Sequence, residues 1–274
     1  MVDKVVTSLG SIIAYALDNG MVAKNVVRDA RPRRRRGQER RQRKRVEIPT
    51  KAEIRDLLAK AEGRWRPLIV TAIFTGLRAS ELRGLTWDDV DLERKVVTVR
   101  QRADAWNDMG APKSEAGQRQ VPLAPMVVNT LKEWKLKCPR LKADKADEDD
   151  PGKLWLVFPN GDGKAESLGN IVNRGYWPLQ VRCGITRPAL DGKGNPIMDD
   201  EGKPVLRGRY GFHALRHAAA SLFIEQGMSP KRVQTIMGHS SIKITYDVYG
   251  HLFPTPEDDQ KQMEQLQTRL LSPA

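Results

Sequence analysis

The stretch from Gly211 to His251 constrains the fold of this chain most, because it combines strong helix signals with most of the chemically reactive side chains. Ser229 followed by Pro230 is typical of a helix start, and Gly238 is typical of a helix end. Its reactive side chains include all four histidines of the protein, which are His213, His217, His239 and His251, together with Arg216, Tyr246 and Tyr249. The stretch therefore predicts short helices that bring together groups able to bind phosphate, transfer protons and act as a nucleophile.

The amino-acid composition indicates what kind of molecule the chain binds. The chain has 274 residues, enough for one large domain or two smaller ones. Its net charge of +13 favours a polyanionic partner, either nucleic acid or an acidic membrane surface. The sequence contains no apolar run long enough to span a bilayer. Thr7, Ser8, Ser11 and Asp18 interrupt the apolar positions near the start, which argues against a signal peptide.

The thiols and possible metal ligands predict a reduced protein without a metal ion. Cys138 and Cys183 lie far apart without CxxC spacing, which suits a reducing cytoplasm. The acidic segment from Asp144 to Asp150 lacks calcium-loop spacing and is expected to be solvated surface. His213 and His217 have the spacing of a zinc pair, but no Glu is placed as in HExxH and no cysteine is near.

The N-terminal part predicts one helix followed by a basic linker. Apolar residues recur at helical spacing over residues 3–19, and Gly20 can end that helix. A single helix cannot bury such a face alone, so it either docks on the main body or ends a domain whose earlier helices are absent. From Arg31 to Arg45 there are ten Lys or Arg residues and one Glu. Such a run is either a solvated tail or a strap along a DNA backbone, and its position between two folded segments favours the strap.

The main body predicts a mainly helical α+β fold with a small antiparallel sheet. Thr50 and Glu53 form a capping-box pattern at its start, and the apolar segment from Trp65 to Thr75 predicts a buried helix. Gly76 then breaks that helix. The other expected helices are a short one that begins at Glu81 and Leu82, and helices over residues 124–137, 170–181 and 257–271. The expected strands cover residues 96–102, 119–123 and 154–158. Residues 190–207 predict a hairpin with two successive turns.

Arg78 and Arg216 can each be interpreted in two ways, as part of a structural ion pair or as a phosphate ligand. Arg78 follows a buried helix, so it either pairs with Glu81, three residues on, or grips two phosphate oxygens at once. Arg216 poses the same question on another helix. His213 lies three residues before Arg216, so both are expected on one face in the first helical turn, where the helix dipole favours an anion. Neither explanation is excluded by these residues alone.

The motifs taken together resemble those of a known family. TGLRASEL, a lysine between two strands, HALRH, MGHSS and a tyrosine within ten residues follow one another in this order. The pattern covers about Val46 to His251 and resembles the tyrosine recombinases, of the phage or mobile-element integrase type. The resemblance implies the catalytic fold of that family over residues 47–274, a basic interdomain linker over 28–46, and the end of a helical core-binding domain over 1–27.

The resemblance also implies roles for individual residues. Arg78 and Arg216 would clamp the scissile phosphate, and Glu81 would support them. His213 and His239 would bind its oxygens or handle the proton of the nucleophile. Lys113 would protonate the leaving 5′-oxygen, although Pro112 stands where the family often has Thr. The expected nucleophile is Tyr249 and not Tyr246, because Tyr249 lies ten residues after His239 and is followed by Gly250 and His251.

The partners implied are those of a DNA recombinase. The first partner is double-stranded DNA that contains attachment sites. On that DNA the chain is expected to form a homotetramer, and free in solution it is expected to be a monomer. Accessory DNA-bending proteins are also implied, as is a cytoplasmic location at the bacterial nucleoid, with no membrane, cofactor or metal ion. Two other classes stay open, a type IB topoisomerase and a non-catalytic architectural DNA-binding protein.

Overall fold

The computed structural model describes residues 2–29, 46–112, 114–140, 155–253 and 256–272. The chain divides into two compact units, residues 1–45 and 46–274. Three predictions lie outside the described residues: the role of Lys113, the basic run from Arg31 to Arg45, and the acidic segment from Asp144 to Asp150. The identity of the first unit as the end of a core-binding domain stays a prediction.

The first unit contains the predicted N-terminal helix. Helix α1 (Val2–Asp18) is followed by the short helix α2 (Val26–Asp29). Gly20 adopts a φ of +69° just after α1, a conformation that suits glycine at a helix end. The side-chain amide of Asn25 donates to the carbonyl oxygen of Gly10 at 2.9 Å and ties the two helices together.

The second unit is mainly helical. Its α-helices are α3 (Lys51–Lys60), α4 (Trp65–Thr75), α5 (Ala79–Arg83), α6 (Pro125–Lys135), α7 (Leu168–Asn170), α8 (Trp177–Arg182), α9 (His213–Glu225), α10 (Pro230–Met237), α11 (Ile242–Tyr249) and α12 (Pro256–Leu271). A π-helical segment, Ile171–Tyr176, joins α7 to α8, so the helix predicted over residues 170–181 is confirmed as one helical run. Among the described residues, no helix has the length and apolar character needed to cross a membrane.

Helix α4 forms the centre of the core. Its side chains are buried on nearly all sides, and it packs against α6 and α9. The predicted capping box opens α3 just before it, since the Thr50 backbone N–H donates to Glu53 at 2.7 Å. Gly76 ends α4 with a φ of +64°, and a Cβ there would lie 2.9 Å from the sulfur of Met237. The end of α4 is therefore held close against α10.

The strands are short and antiparallel. They are β1 (Val90–Asp91), β2 (Val96–Val99), β3 (Arg102–Ala103), β4 (Met109–Gly110), β5 (Arg119–Pro122), β6 (Thr186–Pro188) and β7 (Leu206–Gly208). One sheet has the order β1-β2-β5, and β3 with β4 and β6 with β7 form two hairpins. Val97 pairs with Val121, and both are buried against the helices.

Two strand predictions were wrong in part. Strand β2 ends at Val99 and does not reach Arg102, because its partner β5 begins at Arg119, opposite Val99. The chain then turns into the separate β3–β4 hairpin. Residues 155–158 form no strand and make only a single bridge, from Leu156 to Thr86. Consecutive residues there are buried, so the apolar run reflects enclosure on all sides and not a strand in a sheet.

Two surface elements agree with their predictions. The segment between β6 and β7 makes two turns, at Asp191–Asn195 and Asp199–Lys203, as expected for the predicted hairpin. Helix α12 confirms the predicted C-terminal helix, and Met263, Leu266 and Leu270 are exposed on it.

Candidate functional site

A basic cleft opens where α5, α9 and the turn after α10 meet. Its volume is about 480 Å³. It is lined by Arg78, Ser80, Glu81, Arg102, Pro112, Ser114, His213, Arg216, His239, Ser240 and Ile244. The structure thus brings together four of the six predicted site residues. Lys113 lies outside the described residues, but both of its chain neighbours, Pro112 and Ser114, line the cleft.

Arg78 caps the start of α5 and makes the predicted ion pair with Glu81. Its Nη1 donates to Oε1 of Glu81 at 2.7 Å, and its backbone N–H donates to Oε2 at 2.9 Å. Its Nη2 donates to the carbonyl oxygen of Gly238 at 2.8 Å. The side chain is nevertheless 36% exposed and lines the cleft. The ion pair and a phosphate-binding role are therefore compatible.

Glu81 is shared between two arginines. Arg119 donates from Nη2 to Oε2 of Glu81 at 2.8 Å and from Nη1 to Oε1 at 3.2 Å. Burial raises the pKa of Glu81, but the hydrogen bond and charge of Arg119, together with those of Arg78, outweigh burial and lower this pKa to about 2. Glu81 is therefore a carboxylate at neutral pH.

Arg119 was missed as a site residue in the sequence, although a signal was present. On the alternating pattern of β5, Arg119 falls on the same face as Val121, which is the buried face. An arginine on the core side of a strand must have charged or carbonyl partners, because an unpaired buried cation is costly. The sequence does not show that the partner is Glu81, which lies on another element.

Arg216 lies under the cleft on α9 and is almost fully buried. Its Nη1 donates to the carbonyl oxygen of Gly76 at 2.6 Å, and its Nη2 donates to that of Met237. Burial, followed by the charge of Arg78, lowers its pKa to about 9, against an opposing effect of Glu81. The guanidinium is still positive at neutral pH, so Arg78 and Arg216 both present positive charge to the cleft, and the buried carboxylate of Glu81 pairs with Arg78.

The two predicted histidines lie on the cleft wall. His213 is the first residue of α9, and partial desolvation there, followed by Arg216 and Arg78, lowers its pKa below the usual value. His239 is buried, and its Nδ1 lies 2.9 Å from Oγ1 of Thr245. Burial, followed by the charges of Arg216 and Arg78, lowers the pKa of His239 to about 4. His239 is therefore neutral at pH 7, and its Nε2 is the nitrogen that can meet a ligand.

Tyr249 lies behind this wall. It is the last residue of α11 and only 2% exposed. Its ring is stacked on that of His239, with centroids 6.4 Å apart and planes 11° apart. Its hydroxyl lies 2.6 Å from Nδ1 of His217. Burial raises the pKa of Tyr249 to about 12, although the charge of Arg216 acts in the opposite direction.

His217 links Tyr249 to the cleft. Its ring meets that of His213 edge to face, with centroids 4.7 Å apart. Burial, followed by His213 and Arg216, lowers its pKa to about 4, so it is a neutral hydrogen-bond partner of the tyrosine hydroxyl at pH 7. The described residues contain no group of three or more His, Cys, Asp or Glu side chains placed to hold a metal ion.

The two tyrosines of α11 differ in environment. Tyr246 is 50% exposed and packs against Phe253, with ring centroids 5.6 Å apart. Tyr249 instead contacts His217 and His239. The choice of Tyr249 over Tyr246 as the nucleophile stays a prediction.

The sequence and the fold both match known proteins. The model of the Phage integrase family matches residues 48–255. Prophage integrase IntR of Escherichia coli (strain K12) is 27% identical over 275 residues, which cover 96% of this chain and 60% of that protein. The transposase from transposon Tn916 of Enterococcus faecalis is 30% identical over 211 residues, which cover 74% of this chain and 47% of that protein. The chain thus spans only about half to three fifths of the length of these relatives.

Solved structures share the fold. The Tn1549 transposon integrase in complex with a circular intermediate DNA superposes with a TM-score of 0.68 at 22% identity, over 97% of this chain and 78% of that one. A lambda integrase dimer bound to a COC′ core site gives a TM-score of 0.54 at 18% identity, over 89% of this chain and 57% of that one. The predicted fold class is confirmed by these likenesses. Because the family match over residues 48–255 includes every residue of the cleft, this chain belongs to the phage integrase family, the tyrosine recombinases.

Proposed function

We propose that this chain is a site-specific DNA recombinase that cleaves and rejoins DNA through a covalent 3′-phosphotyrosyl intermediate on Tyr249. One observation carries the proposal. Arg78, His213, Arg216 and His239 face a single cleft, and Tyr249 contacts His239 of its wall and His217 beside it. The arrangement combines a place for a phosphate with a nearby nucleophile.

The arginines fit the charge of the reacting phosphate. Attack on phosphorus builds negative charge on the non-bridging oxygens, and donors that are already oriented stabilise this charge without rearranging. Arg78 and Arg216 are both held in place by backbone carbonyls, those of Gly238 and Gly76. Nε2 of His239 and the imidazole of His213 supply further hydrogen bonds to the same oxygens.

Tyr249 supplies the nucleophile. Its oxygen forms the bond to phosphorus, the bond from phosphorus to the 5′-oxygen breaks, and the tyrosine proton passes to a base. A phenol with a pKa of about 12 is a poor nucleophile at neutral pH, so loss of this proton must accompany attack. The nearby charge of Arg216 favours the phenolate. Since Tyr249 does not line the cleft, DNA binding must bring its oxygen to the phosphorus.

Lys113 is the proposed acid for the leaving group. An alkoxide leaves poorly, and a positioned ammonium can protonate it as the bond breaks. Support comes from Pro112 and Ser114, the neighbours of Lys113, which line the cleft. Rejoining is the reverse reaction, in which the free 5′-hydroxyl attacks the phosphotyrosine and returns its proton.

The partner we propose is double-stranded DNA with paired attachment sites. The net charge of +13 and the basic run over residues 31–45 suit the DNA backbone. Four copies of the chain on two sites, monomers when free, would exchange strands in the bacterial cytoplasm at the nucleoid, with accessory DNA-bending proteins. Support comes from the two similar structures, since the Tn1549 integrase is in complex with DNA and the lambda integrase is a dimer on a core site.

The test is capture of the covalent intermediate. Nicked duplexes from the ends of the element that encodes the chain would lose a short fragment on cleavage, which prevents rejoining. We expect the wild type and Tyr246→Phe to form a protein–DNA adduct, and Tyr249→Phe to bind DNA without forming one. An adduct with Tyr249→Phe would refute the role of that residue.

The same assay distinguishes a recombinase from the two other classes of protein, an architectural DNA-binding protein and a type IB topoisomerase. An architectural protein would bind DNA and form no adduct with any variant. A type IB topoisomerase would form the adduct and relax supercoiled DNA without needing two specific sites. Recombinant product that appears only when both attachment sites are present supports the proposal.

A further inference from the structure

Arg119 is a buried arginine whose donors join three separate parts of the site. Its side chain is only 4% exposed. Its Nε donates to the carbonyl oxygen of Ile236 at 2.6 Å, and its Nη1 donates to that of Gly117 at 2.8 Å. Both terminal nitrogens also donate to the carboxylate of Glu81. It does not line the cleft, so it cannot act by touching a phosphate there.

The three partners belong to elements that carry the proposed reacting groups. Gly117 ends the short turn that follows Lys113 in the chain. Glu81 lies on α5, which begins after Arg78. Ile236 lies in the last turn of α10, directly before the turn that holds His239. Arg119 is therefore the point at which these segments are joined.

The connection continues from Arg119 to the cleft. Glu81 receives Arg119 on one side and Arg78 on the other. Arg78 in turn donates to the carbonyl oxygen of Gly238, the residue before His239. Gly238 has a φ of +63°, and a Cβ on it would lie 2.7 Å from Nη1 of Arg119. The turn before His239 is thus in close contact with the Arg119 guanidinium.

Only a planar fork satisfies this set of partners. A guanidinium presents donors in fixed directions, whereas a lysine ammonium is a single point with rotating donors. Without the Arg119 guanidinium, the Glu81 carboxylate would have Arg78 as its remaining arginine partner and could rotate toward it. The Arg78 guanidinium would then keep the carbonyl of Gly238 as its one fixed partner, and its position in the cleft would be less tightly set.

We infer that Arg119 is a positioning residue that, through Glu81 and the turn at Gly238, holds Arg78 and His239 in register with the segment carrying Lys113. This inference rests on the proposed function, because that function makes the cleft the site of the scissile phosphate. Arg119 itself contacts no part of the DNA.

Arg83 offers a matched control. It is also buried, and most of its donors go to backbone carbonyls, with Nε donating to the carbonyl oxygen of Glu166 at 2.6 Å and Nη1 to that of Asp104 at 2.8 Å. It does not line the cleft or contact Glu81. Arg119→Lys and Arg83→Lys therefore remove the same fork from two buried sites, of which only that of Arg119 contacts Glu81, the carboxylate that pairs with Arg78.

The experiment measures single-turnover cleavage of the nicked duplex and DNA affinity for both variants, at a temperature where thermal unfolding shows each to be folded. We expect Arg119→Lys to slow cleavage by about 10- to 100-fold with DNA affinity nearly unchanged, since small misplacement of reacting groups has effects of this order. Arg83→Lys should cleave at the wild-type rate. Equal rates for the wild type and Arg119→Lys, or equal loss in both variants, would overturn the inference. If Arg119→Lys does not fold, Arg119→Gln takes its place.

A second measurement does not depend on cleavage. In ¹⁵N-labelled protein, the Nε–H signal of Arg78, assigned from an Arg78→Lys variant, should shift in Arg119→Lys and stay in place in Arg83→Lys. An Arg78 signal that is unchanged in Arg119→Lys refutes the positioning role. Absence of any adduct from the wild type would instead refute the proposed function, so the two failures are distinguishable.

Discussion

The hydroxyl of Tyr249 and Nδ1 of His217 lie 2.6 Å apart behind the wall of the cleft. The pKa of Tyr249 is raised to about 12 and that of His217 is lowered to about 4, so both groups are neutral at pH 7 and a hydrogen bond joins them. This bond gives the buried hydroxyl a partner. It also ties the proposed nucleophile to α9, the helix that carries His213 and Arg216.

The first prediction concerns this pair. His217→Ala leaves a buried hydroxyl unpaired, and we expect it to lower the free energy of unfolding by about 1–3 kcal/mol. Tyr249→Phe in the His217→Ala background should cost less than in the wild type, because the hydroxyl no longer has a partner there. Urea unfolding of the four proteins measures the coupling, for which we expect about 0.5–3 kcal/mol. Strictly additive effects would contradict the bond.

The second prediction concerns acid stability. The pKa of Glu81 is about 2 when folded against 4.5 for an ordinary glutamate, so its contribution to stability is fully present above about pH 4.5 and is lost as pH falls toward 2. Two to three pKa units correspond to at most about 3–4 kcal/mol. Glu81→Gln should be less stable at neutral pH and should show a flatter loss of stability between pH 4.5 and 2. A wild-type slope in Glu81→Gln, measured by urea unfolding at each pH, would exclude this origin.

The third prediction concerns Lys113. Lys113→Ala should slow cleavage of ordinary DNA by about 10²–10⁴-fold, the usual contribution of a positioned acid. Replacing the leaving 5′-oxygen by sulfur should restore most of the rate, because a thiol has a pKa of only about 8.5 and its thiolate leaves without protonation. Lys164→Ala, at an exposed lysine outside the cleft, is the control. A slow reaction of Lys113→Ala with the sulfur substrate would assign Lys113 another role.

The fourth prediction concerns the basic run before the main body. Replacing Arg33, Arg34, Arg35 and Arg36 by Ser should weaken DNA binding, most strongly at low salt. The slope of log K against log salt should fall by about 0.9 for each phosphate that is no longer neutralised, and thus by up to about 3–4 in total. Binding isotherms between low and physiological salt measure this slope. An unchanged slope would favour a solvated tail over a strap along the DNA.

The helix starts and ends that were predicted correctly depend on local sequence signals. The Thr50 capping box, the glycine that ends α4 at position 76 and the start of α10 after Ser229 all depend on contacts within a few residues. The motifs around Arg78, His213 and His239 predicted a shared site, and the cleft contains them. The roles of these residues, of Lys113 and of the basic linker stay predictions.

Contacts between distant segments explain what was missed. The end of β2 is decided by where β5 begins, and the apolar residues 155–158 are enclosed by other elements instead of pairing as a strand. The pairing of Arg119 with Glu81 bridges 38 positions of the chain, and that of His217 with Tyr249 bridges 32. No local pattern specifies such partners.

The stretch from Gly211 to His251 shows both contributions. By itself, the sequence determined its helices and turns and the types of residue that they carry, because propensity, capping and spacing act over a few residues. Only the tertiary structure decided that Tyr249 is buried against His217 while Tyr246 is exposed, and that Arg119 holds Glu81 beneath Arg78. The physical reason is that burial and charge pairing depend on which helices and strands pack together, and Tyr249 is buried because α10 packs against both α9 and α11.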